Sequence, residues 1–541
     1  MTIDTSDLSC GPAPRHYILA AYEAWGHARP LCTLAARICK SRPVTLTVFV
    51  TRSFYDRAEN EISRNFSPAE ADVQARIRLV AVHTRENVHF DVETFNASFL
   101  DALKKLVREE PIVCAKTNAQ IPAVGSPDAA IFDLFSYSLA LHVRKWSEKD
   151  AKVICWAPVS AMATYYLFGP SGGFDAETPH LIEEEISSSG RSFAEVAEDI
   201  FCHKNGQVME VPGIPPMYDY EHYPQKVSAG RLSAIGHHSN SRASTYQMII
   251  PDIKPGVHHL AGLQFMHACD AVLVSTAECF EPPEAIRAFE NWFAETSRKA
   301  YIAGPMIPLG PQALDEKQQS PQAAEIAEFM ARILQSHGHN SLIYISFGSV
   351  FWSVEPEKIW TFVDVLLEKK FPFIMSHGSP FAQVPDWVRE KVKASGLAVL
   401  SSWSPQQTIL RHPVMGWFVT HCGWNSLVES VSAGVPMICW PYQADQALDT
   451  VHLTDNAQIA YELSEVRTGD GLRPVYRTGK VPVATLDAIR EESSRILSLA
   501  FGPDGAEKRM RVLKLKEKAS KLWEPDGASR LTFESFLDDL N

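Results

Sequence analysis

Short apolar runs punctuate the chain, each followed by enough residues for a helix and a loop. In the first part they lie near His16–Ala21, Leu46–Val50, Ile77–Val82, Ala130–Phe135, Val153–Ala157 and Ala271–Ser275. In the second they lie near Leu342–Ser346, Phe373–Ser376, Ala398–Ser401, Trp417–Thr420 and Pro436–Trp440. These runs are apolar throughout instead of alternating with polar residues, the pattern of strands covered on both faces. Strands alternating with helices predict parallel, doubly wound α/β sheets. Two such series predict two Rossmann-like domains facing each other, with a site in the cleft where the strands' carboxyl ends meet.

The boundary falls between Gly304 and Ser341. It begins GPMIPLGPQALDEKQQSPQ, rich in Pro, Gln and Gly, and continues in a helix over about Ala323 to Ser336. The expected division is a first domain over 1–305, a linker over 306–340, a second domain over 341–505, and C-terminal helices over 506–541 that pack back on the first domain. The helix from about Ala506 to Trp523 is basic on its exposed face. Residues from Gly169 to Ala243, with GPSGG and VPGIPP, read as long surface loops with a helix, of the kind that shape a pocket.

Length and charge narrow the class. A chain of 541 residues exceeds what one hydrophobic core usually serves, which agrees with two domains. Its formal charge of −13 makes it a poor binder of nucleic acid or anionic membrane through bulk electrostatics. No apolar run approaches the ~20 residues that span a bilayer. The start, MTIDTSDLSC, carries two Asp and no basic residue, unlike a secretory signal. The 10 Cys contain no C-x-x-C pair and read as buried thiols in a reducing compartment, so a cytoplasmic protein is expected.

The candidate chemistry starts at Thr420–Ser430, THCGWNSLVES, directly after the apolar run Trp417–Thr420. A helix is expected to begin at Asn425 or Ser426 and to stop at Gly434. A helix start after a parallel strand attracts anions, because unpaired amides and the helix dipole converge there. Asn425, Ser426 and His421 add side-chain hydrogen bonds. Glu429 lies one turn beyond Asn425 on the same face and suits a vicinal diol, whose two hydroxyls its oxygens can accept. Phosphate beside a ribose describes a nucleotide. The competing reading is that Asn425 and Ser426 merely cap the helix.

The surroundings extend the pattern. From Trp403 to Gln446 the chain reads WSPQQTILRHPVMGWFVTHCGWNSLVESVSAGVPMICWPYQADQ. This segment resembles the 44-residue donor signature of the plant-type UDP-dependent glycosyltransferases, family 1 enzymes of the GT-B fold. It has W-x-P-Q at the start, H-C-G-W-N-S in the middle and D-Q at the end. An early Gly26-His27, the Phe347-Gly348-Ser349 loop and the late Gly527-Ala528-Ser529 extend the similarity along the chain. The acceptor side and the loop insertions match poorly.

The resemblance implies a role for each matching residue. Trp403 would stack on uracil, and Gln406 and Glu429 would hold the ribose. His421, Asn425, Ser426 and Ser349 would bind the diphosphate. Trp424, Asp445 and Gln446 would hold the sugar, a final Gln pointing to glucose. The first domain would bind the acceptor and the second the UDP-sugar.

The base would be His27, at the junction between a strand ending near Ala21 and a helix expected to start near Pro30. The positive end of that helix is expected to disfavour imidazolium and leave a neutral nitrogen. In the resembled family this His is the general base. Such a base needs an orienting carboxylate, and Asp133, at the end of the strand in AAIFDLFSYS, is the candidate; an Asp that only caps the next helix is the alternative. Trp25, before the G-H pair, departs from the family pattern.

The implied reaction is inverting transfer of glucose from UDP-glucose to a hydroxyl of a small acceptor, giving a β-glucoside. No D-x-D motif is present, so no metal is expected, and no cofactor is permanently bound. The apolar run Met162–Phe168 hints at a lipophilic acceptor. Two other readings stay open: a sugar-nucleotide epimerase of the same architecture, and a non-catalytic UDP-sugar-binding protein.

Overall fold

Two parallel sheets organise the computed structural model, which describes residues 15–85, 91–147, 150–172, 178–202, 205–225, 255–308 and 322–540. The first sheet contains β1 (His16–Ala20), β2 (Thr45–Thr51), β3 (Ile77–Val82), β4 (Ala129–Asp133), β5 (Lys152–Ala157), β6 (Ala271–Val274) and β7 (Lys299–Ile302), in the order β7-β6-β5-β4-β1-β2-β3. The second contains β8 (Leu342–Ser346), β9 (Phe373–Ser376), β10 (Ala398–Ser401), β11 (Met415–Thr420), β12 (Met437–Cys439) and β13 (Ala460–Glu462), in the order β10-β9-β8-β11-β12-β13. Every pairing within both sheets is parallel.

Each order reverses direction once, between β1 and β4 in the first sheet and between β8 and β11 in the second. Crossovers leave to opposite faces at such a point, so a crevice opens beyond the strand ends. The apolar strands are covered on both faces, which produces two hydrophobic clusters on each sheet. That is why the runs lacked alternation.

The helices that border the cleft or join the two halves are α1 (Trp25–Ser41), α2 (Tyr55–Ser63), α3 (Ala161–Phe168), α4 (Trp424–Ala433), α5 (Gln446–Val451), α6 (Pro503–Lys521) and α7 (Ala528–Asp539). α6 lies on the second half, where Val512 and Ala519 join the cluster of Leu427 and Val431. α7 returns to the first half, where Phe533, Phe536 and Leu537 join the cluster of Leu31 and Ile131. Arg42 ties this return down with bonds to Glu534 and Asp538 at 2.7 and 2.6 Å.

Several sequence expectations shift. Two edge strands, β7 and β13, were not anticipated; both are short and partly exposed, so neither carries a long apolar run. α1 begins at Trp25, upstream of the expected start near Pro30, because the proline sits inside the helix and not in its first turn. α4 begins at Trp424, ahead of Asn425 and Ser426, and ends as expected at Gly434, in the left-handed region at φ 80°. The loop region after Gly169 contains two helices, Thr178–Ser189 and Phe193–Cys202. Its part from 226, and residues 309–321 of the expected linker, lie outside the described residues. No described helix is long and apolar enough to cross a membrane.

Candidate active site

The two switch points open into one cleft of about 300 Å³. Eleven of the residues singled out in the sequence line it: His27, Ser349, Trp403, Gln406, His421, Trp424, Asn425, Ser426, Glu429, Asp445 and Gln446. Asp133 lies behind His27 and is fully buried.

His27 stands in the first turn of α1. Its Nδ1 is 2.6 Å from Asp133 Oδ2, and Asp133 Oδ1 accepts from the Phe135 amide at 3.1 Å. The imidazole thus donates Nδ1–H to the carboxylate, which leaves Nε2 with its lone pair. Phe135 stacks on the ring at a centroid distance of 5.7 Å, and Tyr22 meets it edge-on. Burial pushes the imidazole pKa down, but the charge and hydrogen bond of Asp133, aided by Asp445, outweigh it and hold the net value above 6.5. The expected lowering by the helix start is therefore overturned, because a carboxylate in contact exceeds the dipole of a helix end.

Pro30 has a consequence next door. A proline cannot donate to the carbonyl four residues back, here that of Gly26. Asn425 Nδ2 fills the gap from the other half at 2.6 Å. The residue beside the candidate base is thereby hydrogen-bonded to α4, the helix in the middle of the donor signature.

His421 follows the end of β11 and is wedged between two glycines. A Cβ at Gly348 would come 2.8 Å from the imidazole, and one at Gly423 2.5 Å from it. Gly348 also has φ 78°, which glycine adopts without strain. Burial lowers the His421 pKa to about 4, so the ring meets a ligand as a neutral donor and not as a cation. Cys422 and Ala444, at φ 65° and 59°, hold left-handed conformations unusual for side-chain-bearing residues. Each flanks a cleft residue, where such strain concentrates.

The reading of Asn425 and Ser426 as mere caps fails on geometry, since the N-cap is Gly423, ahead of both. Asp445 serves the helix start instead, accepting from the Trp424 amide at 3.2 Å. Burial raises the Asp445 carboxyl to about 6, against that bond and the attraction of His27. Trp424, expected to hold sugar hydroxyls, has both N–H groups engaged: the amide with Asp445 and the indole with Ser275 O at 2.8 Å. It braces the two halves and has no donor left for a sugar. Gln446 is also narrower than expected. Its Oε1 accepts from the amides of Tyr442 at 2.8 Å and Gln443 at 3.2 Å, so the Nε2 end is the one oriented to give hydrogens.

The expected ribose pair meets directly. Gln406 Nε2 donates to Glu429 Oε2 at 2.9 Å and to Ser426 Oγ at 3.3 Å. Glu429 Oε1 accepts from Gln407 at 3.0 Å and from Arg29 at 2.8 Å. Arg29 comes from α1 in the first half and was missed in the sequence, although it stands in the stretch G-H-A-R-P. Also missed were Tyr22, Phe135, Tyr223 and His258, which line the first-half side of the cleft; Tyr22 and His258 are linked at 2.9 Å. Of the run Met162–Phe168 only Leu167 and Phe168 reach the cleft, and Met162 is core. Among the described residues no group of three or more His, Cys, Asp and Glu could hold a metal ion.

Comparisons with known proteins agree with this arrangement. The family pattern described as "UDP-glucoronosyl and UDP-glucosyl transferase" matches residues 310–472. The UDP-glycosyltransferase eriJ of Hericium erinaceus is 28% identical over 539 residues, 97% of this chain and 98% of that protein. The flavonoid 3-O-glucosyltransferase of Medicago truncatula is 34% identical over 206 residues, 38% of this chain and 40% of that protein. The structure of Phytolacca americana UGT2 complexed with UDP-2fluoro-glucose and pterostilbene superposes with a TM-score of 0.62 at 18% identity, covering 98% of this chain and 99% of that one. The two facing parallel sheets share the GT-B arrangement of such structures, and the donor segment lies within the part of the chain that matches the UDP-glycosyltransferase pattern.

Proposed function

We propose that this protein is an inverting, metal-independent hexosyltransferase that moves glucose from UDP-glucose to a hydroxyl of a small lipophilic acceptor. The observation that carries the reading is the His27–Asp133 pair, its Nε2 open to the cleft that the donor residues line. A protein that only bound UDP-sugars would have no use for such a base. The first half, over 1–305, would bind the acceptor against Tyr22, Phe135, Phe168 and Tyr223, and the second, over 341–505, the UDP-sugar. A cytoplasmic location fits the free thiols, most of them buried, among the described residues.

In this reading His27 Nε2 takes the proton of the acceptor hydroxyl as its oxygen bonds the anomeric carbon. The bond from that carbon to the β-phosphate oxygen breaks on the opposite face, and UDP leaves with the electron pair. Asp133 stabilises the imidazolium. The start of α4, with His421, Asn425, Ser426 and Ser349, stabilises the charge that gathers on the diphosphate. Asp445 and Gln446 would face the hexose. One displacement turns an α-linked donor into a β-glycoside.

The test is incubation with UDP-glucose, with and without a panel of phenols and alcohols, in EDTA, with mass-spectrometric readout and NMR of the anomeric proton. Acceptor-dependent release of UDP with a β-glucoside as product is expected. A new UDP-sugar formed without acceptor would mean an epimerase, and no turnover with any acceptor a binding protein.

A further inference from the structure

A cation sits against the indole that would carry the base. Arg57, on α2 of the first half, places its guanidinium carbon 3.8 Å from the ring centroid of Trp403 and 3.9 Å from that of Trp25. One indole from each half thus encloses a single arginine. Trp403 and Trp25 line the cleft, whereas Arg57 does not. The guanidinium therefore rests on Trp403 from outside the lining of the cleft. Gly378, also in the lining, packs close to the same ring, where a Cβ would come 3.3 Å from the indole.

The guanidinium is held by its faces. Its Nε and Nη2 are buried and have no hydrogen-bond partner among the described residues. Glu61, one turn along the same helix, accepts from Arg29 and Arg64. Burial and the charge of Arg29 lower the Arg57 pKa to about 9, which still leaves a cation at neutral pH. A desolvated cation over an aromatic face is strongly attracted to it, and a planar guanidinium stacks where an ammonium cannot. Trp25, the departure from the family pattern before the G-H pair, supplies the second plate of this sandwich.

We propose that Arg57 is a positioning residue for the donor: it fixes the plane of Trp403 from the acceptor half, so that the nucleoside subsite is completed across the cleft. The inference rests on the reading of Trp403 as the platform for uracil. It implies that Arg57 acts on the nucleoside end of the donor and on neither the diphosphate nor the acceptor.

The test compares wild type with Arg57→Ala, Arg57→Lys, Trp403→Ala and the Arg57→Ala/Trp403→Ala double variant. UDP affinity is measured by calorimetry, alongside KM for UDP-glucose, kcat and inhibition by pyrophosphate. Arg57→Ala should weaken UDP binding and raise the donor KM by about tenfold. The lysine variant should recover little of this. Saturated kcat, acceptor KM and pyrophosphate inhibition should stay within about twofold of wild type. In the Trp403→Ala background the Arg57 substitution should add nothing. If Trp403→Ala weakens UDP binding and Arg57→Ala does not, the inference falls and the donor-site reading stands. Equal affinity of Trp403→Ala and wild type removes both. An Arg57 effect that persists without Trp403, or that extends equally to pyrophosphate, overturns the inference. Should Arg57→Ala fail to fold, wild-type UDP affinity in Arg57→Lys overturns it.

Discussion

The two walls of the cleft are built on different principles. The second-half wall takes most of its polar groups from one stretch, Trp403–Gln446, folded as strand, turn and helix around β11 and α4. Backbone geometry does much of the work there: two glycines seat His421, and Cys422 and Ala444 hold left-handed turns. The first-half wall is assembled from separate segments, with Tyr22, Phe135, Leu167, Tyr223 and His258 each on a different element. Its strictest geometry is the His27–Asp133 pair. A wall made from one segment keeps a fixed ligand, whereas a wall made from several can change its shape one loop at a time. The contrast fits the proposed division of the two walls between donor and acceptor.

The sharpest way to separate the walls is at the base. His27→Ala should lower turnover by about 10²-fold or more and leave UDP affinity nearly unchanged, as read by steady-state kinetics and calorimetry. Near-wild-type turnover would strip the first wall of its chemistry. The pH profile sharpens the same point. A base works unprotonated, so kcat/KM should fall as pH drops through the raised His27 pKa, with the acid limb above pH 6.5. Asp133→Asn removes the charge that raises it, so the limb should move to lower pH while the rate falls. A limb that stays in place would separate Asp133 from the base.

On the opposite wall, Glu429→Ala should weaken UDP binding by ~1.5–3 kcal/mol with little change in acceptor KM. Since Glu429 also pairs with Arg29, an equal loss in acceptor affinity would show that the walls are energetically one. The smallest effect is expected at Gln446→His. The variant should reduce preference for UDP-glucose over UDP-galactose by ~1–3 kcal/mol in a two-donor competition. It also loses the brace to the Tyr442 and Gln443 amides, so donor KM should rise for both sugars. An unchanged preference would move donor selection elsewhere in the wall.

The same contrast governs what could be read from sequence. The central strands were legible because they are apolar on both faces; β7 and β13 were not, because a short edge strand needs fewer apolar residues. The second wall was legible because its residues are contiguous and its turns demand particular side chains. The first wall yielded Asp133 at a strand end and His27 in the first turn of the helix after another strand, beside the strand ends where open sheets hold their ligands. Arg29 and Arg57 escaped notice because a lone arginine on a helix carries no local signal; only the tertiary fold brings one to Glu429 and the other to Trp403. The polar bonds that engage Trp424 and Gln446 are likewise invisible until the backbone around them is known.

The carbonyl that Pro30 leaves open at Gly26, and that Asn425 closes, bears on how such proteins could be recombined. A chimaera that joins the first half of one relative to the second half of another brings together two surfaces from different parents, and most of the contacts between them are new. If the asparagine at 425 and the proline four residues beyond the accepting carbonyl are both retained, the same hydrogen bond can set Gly26 and the neighbouring His27 against α4. First halves could then be exchanged as cassettes that keep this one contact, and losing either member would remove it.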